Sequence, residues 1–153
     1  MADTFSTTVT IDAAPATVWA VLTDPKLMAE WMGDPGMKLE VETSWKINSP
    51  ISIRGFHHVN FENKGIILKY VEPQILSYSH LSSVSRLPDS IENYAVLEFV
   101  LTPINKQTSL TLTITNFPTE AIQKHLAFYW RGTVFKIKEF AERMQQDKSS
   151  LEK

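Results

Sequence analysis

Four side chains in this chain can do acid–base chemistry near neutral pH: His57, His58, His80 and His125. Imidazole is the one side chain that titrates there without help from its surroundings. His57 and His58 are adjacent in a strand-like segment, so they are expected to point to opposite faces and to share neither a metal nor a substrate. His80 follows Tyr78 at the two-residue spacing of a strand and is expected to look inward with it. His125 sits on the shoulder of a long helical segment. A His80/His125 pair converging on an internal site is one arrangement; two unrelated, hydrogen-bonded histidines is the simpler one. No spacing suits a metal ion, and no cofactor is expected. Glu98 lies between Leu97 and Phe99 but shares the outward parity of Val96 and Val100. No nucleophile elbow, glycine-rich phosphate loop or inward carboxylate pair appears. With zero cysteines, thiolate nucleophiles, disulfides and Cys-ligated metals are excluded.

The aromatic residues suggest a container rather than a reaction. Trp31, Trp45, Tyr78 and Trp130 all fall on inward positions of their elements. A single such ring is ordinary core packing. Four large rings with polar tips resemble the lining of a binding site, because a tight core favours aliphatic side chains with no tip to satisfy. Leu126, one turn before Trp130, joins that lining. Asn116 ends the inward parity of the last strand, where it bonds the start of the following helix or meets a ligand.

These residues need elements to position them, and the periodicity supplies the order. Phe5 to Ile11 alternates as a half-buried strand. Pro15 and the pair Asp24-Pro25 each open a short helix, proline being suited to the first helical position and Asp24 to the cap. Gly33 and Pro35-Gly36 stop the second helix. Met37 to Trp45 alternates, Asn48-Ser49-Pro50 breaks the pattern, and Ile51 to His57 resumes it with Gly55 as an expected bulge. Further strands are expected over 66–71, after Gly65, and over 75–81, with Glu72-Pro73-Gln74 as the turn between them. Ser82 to Glu92 has no period and is expected to be a mobile loop. Tyr94–Thr102 and Leu110–Thr115 make a final hairpin. From Thr119, a plausible cap, the period becomes helical: Ile122, Leu126, Trp130, Val134 (or Thr133), Ile137 and Ala141 form one apolar stripe.

Strand, two short helices, several strands and a long last helix is the order of a helix-grip domain. The class is α+β, with a curved antiparallel sheet of about six or seven strands wrapped around the C-terminal helix. Such a sheet closes on its helix with space left near one end, so a cavity of roughly 300 Å3 or more is expected. One domain over 1–146 is expected, followed by a charged tail at 147–153 that frays. At 153 residues, the chain has 43% hydrophobic and 21% charged residues, ordinary for a globular protein. A net charge of -2 and a pI near 6.1 supply no cationic field, so nucleic acid and anionic membranes are poor partners. The first residues show neither a basic nor an apolar leader, and no apolar run approaches the ~20 residues of a spanning helix, so a cytoplasmic location is expected.

The segment Ala14-Pro15-Ala16-Thr17-Val18-Trp19, followed by Leu22-Thr23-Asp24-Pro25 and Trp31, resembles the start of the START-like (SRPBCC) superfamily, whose fold is also called Bet v-like. Within it, Glu42-Thr43-Ser44-Trp45-Lys46-Ile47-Asn48-Ser49-Pro50-Ile51 is similar to the AHSA-like branch, named for the activator of the ninety-kilodalton heat-shock protein ATPase. Lys64-Gly65-Ile66-Ile67-Leu68, Leu76-Ser77-Tyr78-Ser79-His80, Leu87 to Tyr94, Leu110 to Thr113, Asn116-Phe117, His125 and Trp130 extend the likeness in order over nearly the whole chain. Asn48 stands where that branch often has glycine and His80 where it often has tryptophan. The resemblance implies a deep pocket for an apolar or amphipathic small molecule, but the fold hosts carriers, receptors, cyclases and co-chaperones alike.

Three functions are therefore in view. The leading one is a non-catalytic carrier or sensor that binds a lipid-like or polycyclic molecule through Trp31, Trp45, Tyr78, His80, Asn116, Leu126 and Trp130. The second is a cyclase- or hydrolase-type enzyme in which His80 polarises a bound carbonyl. The third, a co-chaperone with a heat-shock protein ATPase as partner, rests on the resemblance alone; such an activator is expected to carry a separate amino-terminal domain as well.

Overall fold

Strand β1 (Thr4–Ile11) buries Val9 and Ile11 and leads into helices α1 (Pro15–Thr23) and α2 (Pro25–Met32). The computed structural model describes residues 4–151. Proline opens both helices; Asp24 caps the second by accepting from the Lys26 amide at 2.9 Å. There follow β2 (Glu40–Thr43), β3 (Pro50–His57), β4 (Val59–Val71), β5 (Ile75–Ser82), β6 (Ala95–Ile104) and β7 (Gln107–Thr115). Helix α3 (Glu120–Leu151) closes the chain, with Thr119 Oγ1 accepting from the Ile122 amide at 3.1 Å. The seven strands form one antiparallel sheet in the order β1-β7-β6-β5-β4-β3-β2. The first strand thus pairs with the last, and the sheet curves over α3 as the helix-grip reading requires.

The expected parities carry the core. Ala95, Leu97, Phe99 and Leu101 of β6 and Leu110, Leu112 and Ile114 of β7 are buried. Glu98 faces outward, paired with Lys69 at 2.9 Å. Along α3, Leu126, Trp130, Val134, Ile137 and Ala141 are buried, with Thr133 beside them. No helix among the described residues is long and apolar enough to cross a membrane.

Three local expectations are corrected. The alternating run from Met37 to Trp45 is a strand only over Glu40–Thr43, since β2 is an edge paired solely with β3, which begins at Pro50 and has no N–H to donate there. Pro35–Met37 is one 3-10 turn, and Lys38 and Trp45 take left-handed φ values of 49° and 62°. Gly55 is no bulge: β3 and β4 stay in register through Gly55↔Phe61, and the irregularity lies between Ile67 and Lys69 against β5. Space is tight at Gly55: a Cβ would sit 2.6 Å from Leu39 Cδ2, so that side chain would have to shift. The segment 82–92 is fastened rather than loose: Lys64 meets Asp89 at 2.6 Å, Tyr94 donates to Asp89 at 2.6 Å, and Asn93 donates to the Pro88 carbonyl at 2.9 Å. Helix α3 reaches to Leu151, into the expected tail, and just ahead of that tail Gln145 Oε1 accepts from the Ala14 amide at 3.1 Å and from Thr17 Oγ1 at 2.9 Å. Residues 152 and 153 of that expected tail lie outside the described residues, as do residues 1–3.

Candidate functional site

Between the sheet and one flank of α3 lies a cleft of about 660 Å3, bordered by strands β3 to β6, the end of α2 and α3. Its floor is β5, whose alternation sends Tyr78 and His80 to the same face two residues apart. Leu97 stands opposite Tyr78 in the β5–β6 register, and Ala95 opposite His80. Alanine at the second place leaves the imidazole room. The roof is α3, which contributes Ile122, His125, Leu126, Tyr129 and Trp130.

Tyr78 is buried, 2% exposed, and its hydroxyl bonds to no other described residue; among them Trp19 Nε1 is the one side-chain polar atom both sealed from solvent and without a partner, so the Tyr78 hydroxyl is not sealed off. That hydroxyl borders the cleft, where water or a ligand can reach it. Burial, and secondarily Tyr129, push its pKa well above the usual phenol value, so it remains a neutral O–H. Tyr129 donates to the Met32 carbonyl at 2.5 Å, tying roof to α2, and burial raises it to about 12.

His80 is half-buried, the exposed part of the ring facing the cleft. Burial first, and the His125 imidazole second, push its pKa down to about 4, so at pH 7 it is neutral, with one ring nitrogen to donate and one to accept. No carboxylate approaches it to oppose that shift. Because the folded pKa lies below the ordinary value of 6.5, the unfolded chain takes up a proton first as pH falls. Stability is therefore expected to be full above pH 6.5 and to drop as pH falls towards 4, by up to about 3 kcal/mol for a dry ring and less with water in the cleft. Urea unfolding between pH 7.5 and 4 checks this: His80→Gln should flatten the profile relative to wild type, and parallel profiles would refute it.

The structure brings Tyr78, His80, Leu126 and Trp130 together at the cleft and leaves three expected residues out of its lining. Trp31 is fully buried, its indole N–H donating to the Val21 carbonyl at 2.9 Å. Trp45 stacks on Tyr70 at 5.7 Å, and Tyr70 meets Trp19 edge-on at 5.2 Å, a separate aromatic cluster. The left-handed turn at Trp45 is what redirects it. Asn116 is exposed at φ 59° and donates to the Tyr94 carbonyl at 2.7 Å, so it pins the start of β6 and not the start of α3.

Sequence reasoning missed His57 and Tyr129. His57 borders the cleft, and its ring packs edge-on against that of His58 at 4.6 Å, contrary to the expected opposite faces. The two-residue alternation fails there because His58 alone links β3 to β4, at φ 67°. Tyr129 was legible in principle: with Ile122 and His125 it makes a second stripe spaced by three and four beside the apolar one. Three histidines thus face one space, but among the described residues no group of three or more His, Asp or Glu is placed to hold a metal ion. A second depression of about 420 Å3 over Pro15, Pro73, Gln74 and Pro103 has no titratable side chain in its lining and offers no chemistry.

The chain and its fold are similar to those of known proteins. The family model described as Activator of Hsp90 ATPase homolog 1-like protein matches residues 12–142. A solution structure from Cytophaga hutchinsonii is 33% identical, with 94% of this chain and 98% of that one covered, at a TM-score of 0.76. A crystal structure from Chromobacterium violaceum shares the fold at 17% identity, covering 93% and 99%, with a TM-score of 0.78. An Arthrobacter aurescens protein solved in solution does so at 18% identity, covering 93% and 87%, with a TM-score of 0.76. No protein with a curated description matches the chain.

Proposed function

From a chain that belongs to the family of Activator of Hsp90 ATPase homolog 1-like proteins, we propose a non-catalytic carrier or sensor for an apolar or amphipathic small molecule whose inner end is polar but uncharged. One observation carries this reading: the Tyr78 hydroxyl, without a partner among the described residues, at the floor of a 660 Å3 cleft next to a neutral His80. A ligand hydroxyl or carbonyl satisfies both groups, while a carboxylate would bring a charge beside Tyr78 and His80, neither of which has a cation acting on it. Lys136 borders the cleft too, but its side chain belongs to the exposed part of α3. Release of the native occupant by extraction of freshly purified protein, with mass analysis, identifies the molecule.

The decisive variant is Tyr78→Phe, which removes one oxygen and keeps the ring. With 2-naphthol as probe, binding is expected to weaken several-fold, as one hydrogen bond of about 1 kcal/mol is lost. Unliganded stability should change little, since the hydroxyl has no protein partner to lose. Wild type should prefer 2-naphthol over 2-naphthoate. Equal binding of probe by Tyr78→Phe and wild type would refute the reading, and so would multiple turnovers of a carbonyl ligand abolished by His80→Ala, which favour the enzyme. A chaperone-directed role would act through the surface and would leave stimulation of an Hsp90 ATPase unaffected by Tyr78→Phe.

A further inference from the structure

The outer face of α3 carries features that nothing in a single copy explains. Phe128 and Phe135 are 81% and 52% exposed, seven residues apart, so they stand on the same side of the helix roughly 10 Å from one another. Between them lies Gly132. Glycine inside an exposed helix costs up to ~1 kcal/mol relative to alanine. Yet a Cβ here would meet nothing within 4 Å, so no packing in this chain requires its absence. The adjacent Arg131 does not fill the gap; its guanidinium lies over the Phe5 ring at 5.3 Å. Among the described residues, nothing covers this bare strip.

We propose that this face is a homodimer interface, with two copies of α3 crossing antiparallel about a twofold axis that passes between Arg131 and Gly132. The sequence of the face is self-complementary about that point. Phe128 meets Phe135 of the second copy, and Phe135 meets its Phe128. Lys124 lies opposite Glu139, and Glu120 opposite Arg143, each pair occurring twice, as a twofold contact demands. Glu139 makes no ion pair among the described residues, while Glu120 and Lys124 pair within the helix at 3.1 Å and would extend to a network. Shifting the axis by one residue sets Phe128 against Lys136 and removes the match. Gly132 at the crossing allows the two backbones closer than a side chain would. An apolar centre of four rings inside a charged rim is the composition of a protein–protein interface. His125, on the neighbouring flank of α3, and Ala121, seven residues before Phe128 on the same side, border the cleft, so the second copy would sit beside its mouth.

Sedimentation equilibrium of the full chain across a concentration series tests the proposal. A monomer–dimer equilibrium is expected. Phe128→Asp should weaken it by roughly 30-fold or more, as for a central anchor. Gly132→Leu should weaken it as well, although the open space around the glycine leaves folding intact, which circular dichroism checks. Lys124→Glu alone should weaken association, and adding Glu139→Lys should restore it, because the swap re-creates the opposite pairs. A monomer at every accessible concentration overturns the inference. So does a dimer indifferent to Phe128→Asp and Gly132→Leu, or a charge swap without rescue.

Discussion

Gly65→Ala is expected to destabilise the protein by roughly 3 kcal/mol or more. A Cβ on Gly65 would fall 1.7 Å from the Ser79 carbonyl oxygen and 2.4 Å from its carbon, a collision with backbone and not with a side chain that can swing aside. Ser79 has little freedom to retreat. It is held across β6 opposite Val96, and its hydroxyl accepts from the Ile66 amide at 3.0 Å. Relief must separate β4 from β5 beneath the cleft, where Tyr78 and His80 flank Ser79. Thermal unfolding should show a drop on the order of 10 °C for a chain of this size. A change within about 1 kcal/mol in urea would mean that the strands do not approach so closely.

Trp130→Ala is expected to cost about 3 to 4 kcal/mol. The indole is 5% exposed and sits among Trp31 at 6.0 Å, Phe99 at 5.6 Å and Tyr129 at 5.2 Å, all edge-on. It joins the core of α3 to the roof of the cleft, so its removal takes dispersion contacts from one and wall from the other. Urea unfolding and 2-naphthol binding should both fall. The full loss of stability with unchanged binding would assign Trp130 to the core alone.

Period and punctuation made most of this fold readable. The alternation of β1, β6 and β7, the proline-opened helices and the stripe on α3 each depend on contacts between near neighbours or on one buried face, and such patterns survive in a single chain of letters. The element order then implied the sheet wrapped on its last helix. Legibility failed where one residue changes the backbone direction. Trp45 and His58 occupy left-handed positions, uncommon for residues other than glycine, so a two-residue count carried past them assigns the wrong face.

What the sequence determined by itself is the class of domain, the inward faces of its strands and helix, and the pairing of Tyr78 with His80, since residues two apart on a strand share a side whatever surrounds them. Only the tertiary structure decided which inward residues meet open space. Trp31 and Trp130 are equally inward by sequence, yet one is sealed in the core and the other borders the cleft. Asn116 shares the inward parity of β7 until its own φ of 59° turns it out to Tyr94. Facing inward is a property of one element's period. Facing a cavity depends on how far apart two elements, distant in the chain, come to rest, and no local spacing records that distance.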